Sequence, residues 1–395
     1  MISTHSRSLS INILYIYIFF TVYIGATSLF APLNEYGEMV IPKDIYIFFD
    51  LFSILIFFVL LFSSKWNIKN PDPIFIFWFI FVFSLFIFSA RGAYSLRSID
   101  YIHYFFRNQI FYVFLGGLIY HYCSSIEKNR FNSFLFLLLC SQLIFSFIIV
   151  LLEYSIGGFF WEGSRLTGTL LNHNSYGVFL TFFSFWIWYS YEGKFSTKIF
   201  IWSLIALLII LSGSVTAIIG LFLSIARNLK MVIFLGLATV IGFWLFFDDI
   251  MNLHFIWKIN QIFFEKSTHL TSLSAREMQL QLFLDSISNP VNWVFGASQN
   301  SSYMLFDSQY YNIFFNFGII PVFLFLLLAA TIIKKHSNNW YSIYYSWFFL
   351  FACSMTAFFS RPIIIILFFF FLANTGLPAN SSIKKVIFNT LTPEN

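Results

Sequence analysis

IFIWSLIALLIILSGSVTAIIGLFLSIA, residues 199–226, carries no charged side chain and has one cluster of small polar residues, Ser212-Gly213-Ser214. A membrane span needs about 20 apolar residues, so this run is too long for one comfortable span and short for two. Two helices are predicted, 198–212 and 214–227, because a polar break at lipid depth must face protein or water. The rest of the chain has the same texture. Of its 395 residues 59% are hydrophobic, 23% aromatic and 10% charged, against roughly 25% charged in soluble domains. A soluble fold of this length cannot hide that much apolar surface. A disordered chain is excluded for the same reason, and an outer-membrane barrel would alternate instead of running solidly apolar.

The fold predicted is an all-α polytopic membrane protein of about 12 transmembrane helices. Besides the pair above, helices fall at 11–30, 45–62, 74–90, 105–122, 132–152, 176–191, 231–247, 310–333, 341–360 and 362–378. The run after Arg7 is too long for a signal peptide and reads as an uncleaved first helix. Basic residues collect in alternate loops: Lys65 and Lys69, Lys128 and Arg130, Lys194 and Lys198, Arg227 and Lys230, Lys334 and Lys335, and Lys384 and Lys385 in the tail. Counting positive charge inside puts both termini in the cytoplasm. Arg91, Arg97 and Arg107 break the rule on the opposite side, where they would draw an anion or rest on lipid headgroups. Asp50 is the main carboxylate within a span, near one end of the second helix.

Three blocks follow. Residues 1–247 hold helices 1–9 with an outer loop at 153–175, residues 248–309 form a large outer loop with short helices, and residues 310–395 hold helices 10–12 and a cytoplasmic tail. A net charge of +5 is too small to suggest nucleic acid, and Cys123, Cys140 and Cys353 form no metal or disulfide pattern. No acidic or histidine cluster has ligand spacing.

The outer loops concentrate the chemistry. In the larger one, Ser274 and Glu277 form a capping box. That places Arg276 in a first helical turn, where free N–H groups, the helix dipole and a guanidinium fork all suit phosphate; the same helix also reads as amphipathic and lying on the membrane. Asn289-Pro290 ends it and Gly296 follows in a turn. The smaller loop, WEGSRLTGTLLNHNSYG (161–177), crowds Glu162, Arg165, Asn172, His173 and Asn174 against the bilayer surface. His173 suits a base near neutral pH, or a helix cap.

RLTGTLLNHNSYG (165–177) resembles the signature of the O-antigen polymerase and ligase superfamily, an Arg, a Gly and an Asn-Pro-Asn-like turn leading into a helix. Ser274-Ala-Arg276 with Pro290 and Phe295-Gly296 is similar to a second family pattern. Asp307-Ser-Gln-Tyr310-Tyr-Asn312 before Gly318-Ile-Ile-Pro resembles a third. The order and loop sizes fit over residues 150–333. Departures are His173 in place of the turn's Pro, Ser298 in place of a second Gly, and Val215 where the family often has Arg. A His-Asn pair before residue 310, which marks the ligase branch, is replaced by Asp307-Ser-Gln, so the resemblance favours the polymerase.

The resemblance implies joining of undecaprenyl-diphosphate-linked oligosaccharide units at the periplasmic face of the bacterial inner membrane. No cofactor or metal is implied; the partners are the lipid-linked oligosaccharide, the bilayer and a chain-length regulator. Arg276 and Arg165 would stabilise the departing diphosphate, with Arg91 third. His173, Glu162 and Asp307 are the candidates for general base, and Asn172, Asn174 and Tyr310 complete the substrate-binding set. Two rivals stand beside this reading: a ligase passing finished polysaccharide to lipid A-core, and a non-enzymatic flippase for the same lipid-linked sugar.

Overall fold

The computed structural model describes residues 4–24, 26, 43–64, 72–96, 106–124, 126–156, 161–162, 165–166, 168–170, 172–226, 232–233, 278–285, 288–296, 308–335, 340–355 and 361–375. Helices dominate them, as expected. They are α1 (Thr4–Tyr23), α2 (Lys43–Ser63), α3 (Pro73–Leu96), a π-helical turn (Phe106–Phe111) running into α4 (Tyr112–Cys123), and α5 (Lys128–Ile156). A two-residue strand pair follows, β1 (Trp161–Glu162) and β2 (Arg165–Leu166), then a 3₁₀ turn (Gly168–Leu170). Next come α6 (His173–Tyr189), α7 (Phe195–Ser212), α8 (Val215–Ile225), α9 (Pro290–Phe295), α10 (Gln309–Phe317), α11 (Ile319–Lys335), α12 (Trp340–Met355) and α13 (Pro362–Thr375).

Three stretches are long and apolar enough to cross a membrane: Asp44–Ser63, Lys128–Leu151 and Phe195–Ser212. Five shorter apolar helices accompany them, among them Pro73–Phe88 and Pro362–Asn374. Phe62, Leu151 and Phe200 are each more than 60% exposed, an apolar coat that only a non-aqueous surrounding would tolerate at this density.

α6 is the centre. Ser175 and every residue from Tyr176 to Ile187 are buried, and α7, α8, α12 and α13 pack around it. Small polar side chains, their hydrogen bonds satisfied within the bundle, register it. Thr181 Oγ1 donates to the carbonyls of Gly177 (2.9 Å) and Ala217 (3.2 Å), and Ser184 and Ser224 share a hydrogen bond at 2.6 Å. The Ser212-Gly213-Ser214 break forms as two helices, with Gly213 left-handed at the end of α7 and the Ser214 hydroxyl accepting from the Ala217 amide. Ser212 and Ser214 are wholly buried, so the break faces protein.

Polar pairs sort the bundle into two ends. Lys335 pairs with Asp72, Lys128 with Glu192 (3.9 Å), and Arg130 donates to Asn12 (2.6 Å) at one end. Nearby, Asn132 accepts from Trp186 and Asn374, both at 3.0 Å. The other end, which carries Arg361, holds the β1–β2 pair and the start of α6.

Several expectations change. The helix expected at 74–90 continues to Leu96, so Arg91 sits on α3 and not on a loop. Arg107 belongs to the π-helical turn and its Nε lies 2.7 Å from Asp50. Asp50 also accepts from the Tyr112 hydroxyl, and the guanidinium lies over the rings of Tyr46 and Tyr112. The intraspan carboxylate therefore neutralises one of the rule-breaking arginines. Helix 310–333 is broken at Gly318 into α10 and α11. Pro290 does not end a helix but starts α9, with Asn289 as its cap; a separate helical stretch is described at 278–285. Of the helix expected at 231–247 only 232–233 are described.

The break at Gly318 has a mechanical cause. Gly296 (φ 79°) and Gly318 (φ 84°) both have left-handed backbones. A Cβ on Gly296 would meet the Asn316 carbonyl carbon at 2.6 Å, and one on Gly318 would run into the Val294 carbonyl. The two backbones cross with no room for a side chain, which fastens α9 to the α10–α11 corner. Gly318→Ala is expected to cost about 1–3 kcal/mol from the strained φ alone, seen as a lowered thermal midpoint in detergent. The Asp50–Arg107 pair is expected to behave as a unit: Asp50→Ala, which leaves the guanidinium without its carboxylate, lowers the midpoint, and adding Arg107→Ala recovers part of the loss.

Candidate functional site

The motif 165–177 docks its residues one by one onto the end of α6. β1 and β2 pair antiparallel, with Glu162 opposite Arg165 and Trp161 opposite Leu166. Leu166 is fully buried, and so is Thr169, whose hydroxyl donates to Gln142 Oε1 of α5 at 3.1 Å. Gly168 is left-handed (φ 54°), and the Tyr176 ring lies where its Cβ would be. The Tyr176 hydroxyl bonds Ser146 of α5. Gly177 lets α6 approach the α7–α8 turn: a Cβ there would meet Ser212 Oγ and Ala217 Cβ at 2.8 Å. Gly168, Tyr176 and Gly177 thus hold the loop in place.

Asn172 begins the helix. Its backbone is extended and its Oδ1 accepts from the Ser175 amide at 3.0 Å, a standard N-cap bond. The cap is therefore Asn172 and not His173. His173 is the first helical residue, 6% exposed, the position where proline is favoured. Asn174 follows, partly exposed.

A residue absent from the sequence-based set completes the site. Arg361, the residue before α13, donates from Nη1 to Asn172 Oδ1 at 2.5 Å and to Ser175 Oγ at 2.6 Å. The Arg361 carbonyl accepts from the amides of Ile364 (3.0 Å) and Ile365 (3.4 Å), so it also opens α13. The positive ends of two helices and a guanidinium meet at one point, an arrangement whose parts repel one another and favour an anion. One signal for Arg361 was visible: a lone cation in a one-residue linker between two apolar runs, on the side otherwise poor in lysine.

The remaining expected residues are scattered. Arg91 lies on α3 and Arg165 on β2. Arg276 and Asp307 fall outside the described residues. The Tyr310 hydroxyl donates to the Leu350 carbonyl of α12 at 2.9 Å, inside the bundle. Its neighbours Gln309, Asn312 and Asn316 form a buried amide stripe along α10, with Asn316 Nδ2 donating to Asn312 Oδ1 at 2.7 Å. Among the described residues no group of three His, Cys, Asp or Glu side chains is placed to hold a metal. Compared with protein-family models, curated proteins and solved structures, the chain matches none.

Asn172 both caps α6 and holds Arg361, and the two roles separate by substitution. Asn172→Asp, which can still cap and adds a charge for the guanidinium, is expected to keep the thermal midpoint. Asn172→Ala is expected to lose about 1 kcal/mol from the cap and more from the released arginine, read in the same melt.

Proposed function

We propose that this chain is a multi-pass protein of the bacterial inner membrane that polymerises surface polysaccharide from undecaprenyl-diphosphate-linked oligosaccharide units. The observation that carries the reading is the seat of Arg361 on Asn172 and Ser175, at the turn where the 165–177 motif enters α6. The cations support it by their place. Among the described residues Lys128, Arg130, Lys194, Lys198, Lys334 and Lys335 lie at the end opposite Arg361, while Lys43, Arg91, Arg107 and Arg165 lie at the Arg361 end. By the positive-inside rule the lysine end faces the cytoplasm, with twelve spans and both termini inside. Arginine rather than lysine suits bidentate binding of phosphate.

In this reading an acceptor hydroxyl of one lipid-linked unit attacks the anomeric carbon of the other. The bond from that carbon to the diphosphate oxygen breaks, and undecaprenyl diphosphate leaves with the electron pair. Arg276, Arg165 and Arg361, together with the α6 amides, stabilise the charge that develops. The hydroxyl proton passes to a base, for which His173, Glu162 and Asp307 are the candidates. No cofactor takes part.

Deletion of the gene followed by complementation tests the reading on a polysaccharide gel. A polymerase leaves single repeat units on lipid A-core and no ladder. Bare core with polymer retained on the lipid carrier would mean the ligase, and bare core with single units trapped inside the cell would mean the flippase. Arg276→Ala and Arg361→Ala are each expected to cut polymer by roughly 100-fold with the protein still in the membrane. Arg361→Lys, which keeps the charge and loses the fork, should fall between.

A further inference from the structure

The segment 278–296 has an unusual surface for a loop. Asp285 is its sole charged residue, and Met278 (62%), Leu284 (51%), Val291 (53%) and Trp293 (48%) stand exposed. Helix 278–285 divides its outline three ways. Phe283 stacks on Tyr311 (4.6 Å) and turns that side to α10. Leu280 and Leu284, one turn apart, are exposed on one flank, and Gln281 and Asp285, also one turn apart, are exposed on the other, with Met278 above them at the helix start.

The medium on the apolar flank follows from the clasp described above. Val294 has its carbonyl against Gly318, and the next residues of α11, Ile319 (40%) and Ile320 (43%), are exposed together with Phe323 (59%). These belong to the apolar helix α11. α9 is fastened at Gly318, the residue before it, so Val291 and Val294 stand beside that exposed apolar start. Trp293, with its edge on Phe314 (5.9 Å), is the residue type that settles at the headgroup level.

We infer that helix 278–285 and α9 lie in the bilayer interface, with Leu280, Leu284, Val291 and Val294 reaching the acyl boundary and Gln281 and Asp285 facing water. A partner protein would cover both flanks; a lipid surface divides them. The two helices are thereby held at headgroup depth. The inference rests on the chain lying in a bilayer and not on its being a polymerase.

The test uses the full chain with Cys140→Ser, reconstituted in phosphatidylethanolamine–phosphatidylglycerol vesicles and labelled with an environment-sensitive fluorophore at single introduced cysteines. Leu284→Cys and Val294→Cys are expected to be quenched several-fold more by lipid bearing a doxyl group near the headgroup than Asp285→Cys. Aqueous iodide should reverse that order. Equal iodide quenching at 284 and 285 overturns the inference, as does protection from both quenchers, which would mean a protein cover. Leu280→Cys and Gln281→Cys repeat the comparison should either first site fail to fold. Flotation of the chain with the vesicles reports the bilayer reading separately, and the gel assay reports the polymerase reading.

Discussion

A backbone surrounded by hydrocarbon must satisfy its own hydrogen bonds, and the irregular features of this chain are arranged around that demand. Helices meet it without help; turns, breaks and caps need protein against them. In the Ser212–Ser214 turn the buried Ser212 hydroxyl donates to the Ile209 carbonyl and accepts from the Ser214 amide. The 3₁₀ turn at Gly168 lies under the Tyr176 ring. The break at Gly318 is covered by the backbone of Val294 and Phe295. Each irregularity is thus also a point where distant segments are fastened together.

The same demand makes the motif 165–177 mostly architectural. Leu166, Gly168, Thr169, Tyr176 and Gly177 serve contacts that seat the loop on α5, α6 and α7, and what they leave at the surface is small: Asn172, Asn174 and the guanidinium of Arg361 at the converging helix starts. A hydrogen bond from a charged donor contributes about 1.5–3 kcal/mol, and Arg361 makes two to the start of α6. Those bonds offset the repulsion between its charge and the two helix dipoles. The result is a place held ready for negative charge by contacts that do not themselves need a ligand.

Much of this was legible in the chain. The run 199–226 specifies two helices because small polar residues interrupt it. Among the described residues Lys128, Lys194, Lys198, Lys334 and Lys335 fall at one end of the bundle. What escaped reading depends on distant partners. Residues 310–333 form an unbroken apolar run in which Gly318 looks tolerable within a helix, and only the crossing backbone of α9 shows why it bends. Arg361 looks like punctuation between two spans until α13 is set beside α6. Arg107 looks like a spare cation on a loop until Asp50, 57 positions earlier, is found beneath it. Pro290 reads equally as the stop of one helix and the start of the next, and local sequence does not choose.

The bond between Arg361 and Asn172 joins positions 189 residues apart. During synthesis the motif and α6 leave the ribosome well before Arg361 does, at about 5–20 residues per second, so the turn passes many seconds with its cap formed and its guanidinium not yet made. α13 packs along α4 and α6, and only its arrival delivers the charge. Positive potential at this point therefore accumulates as the closing event of assembly, and the half-built bundle carries no such attraction for anions there until its helices have found their order.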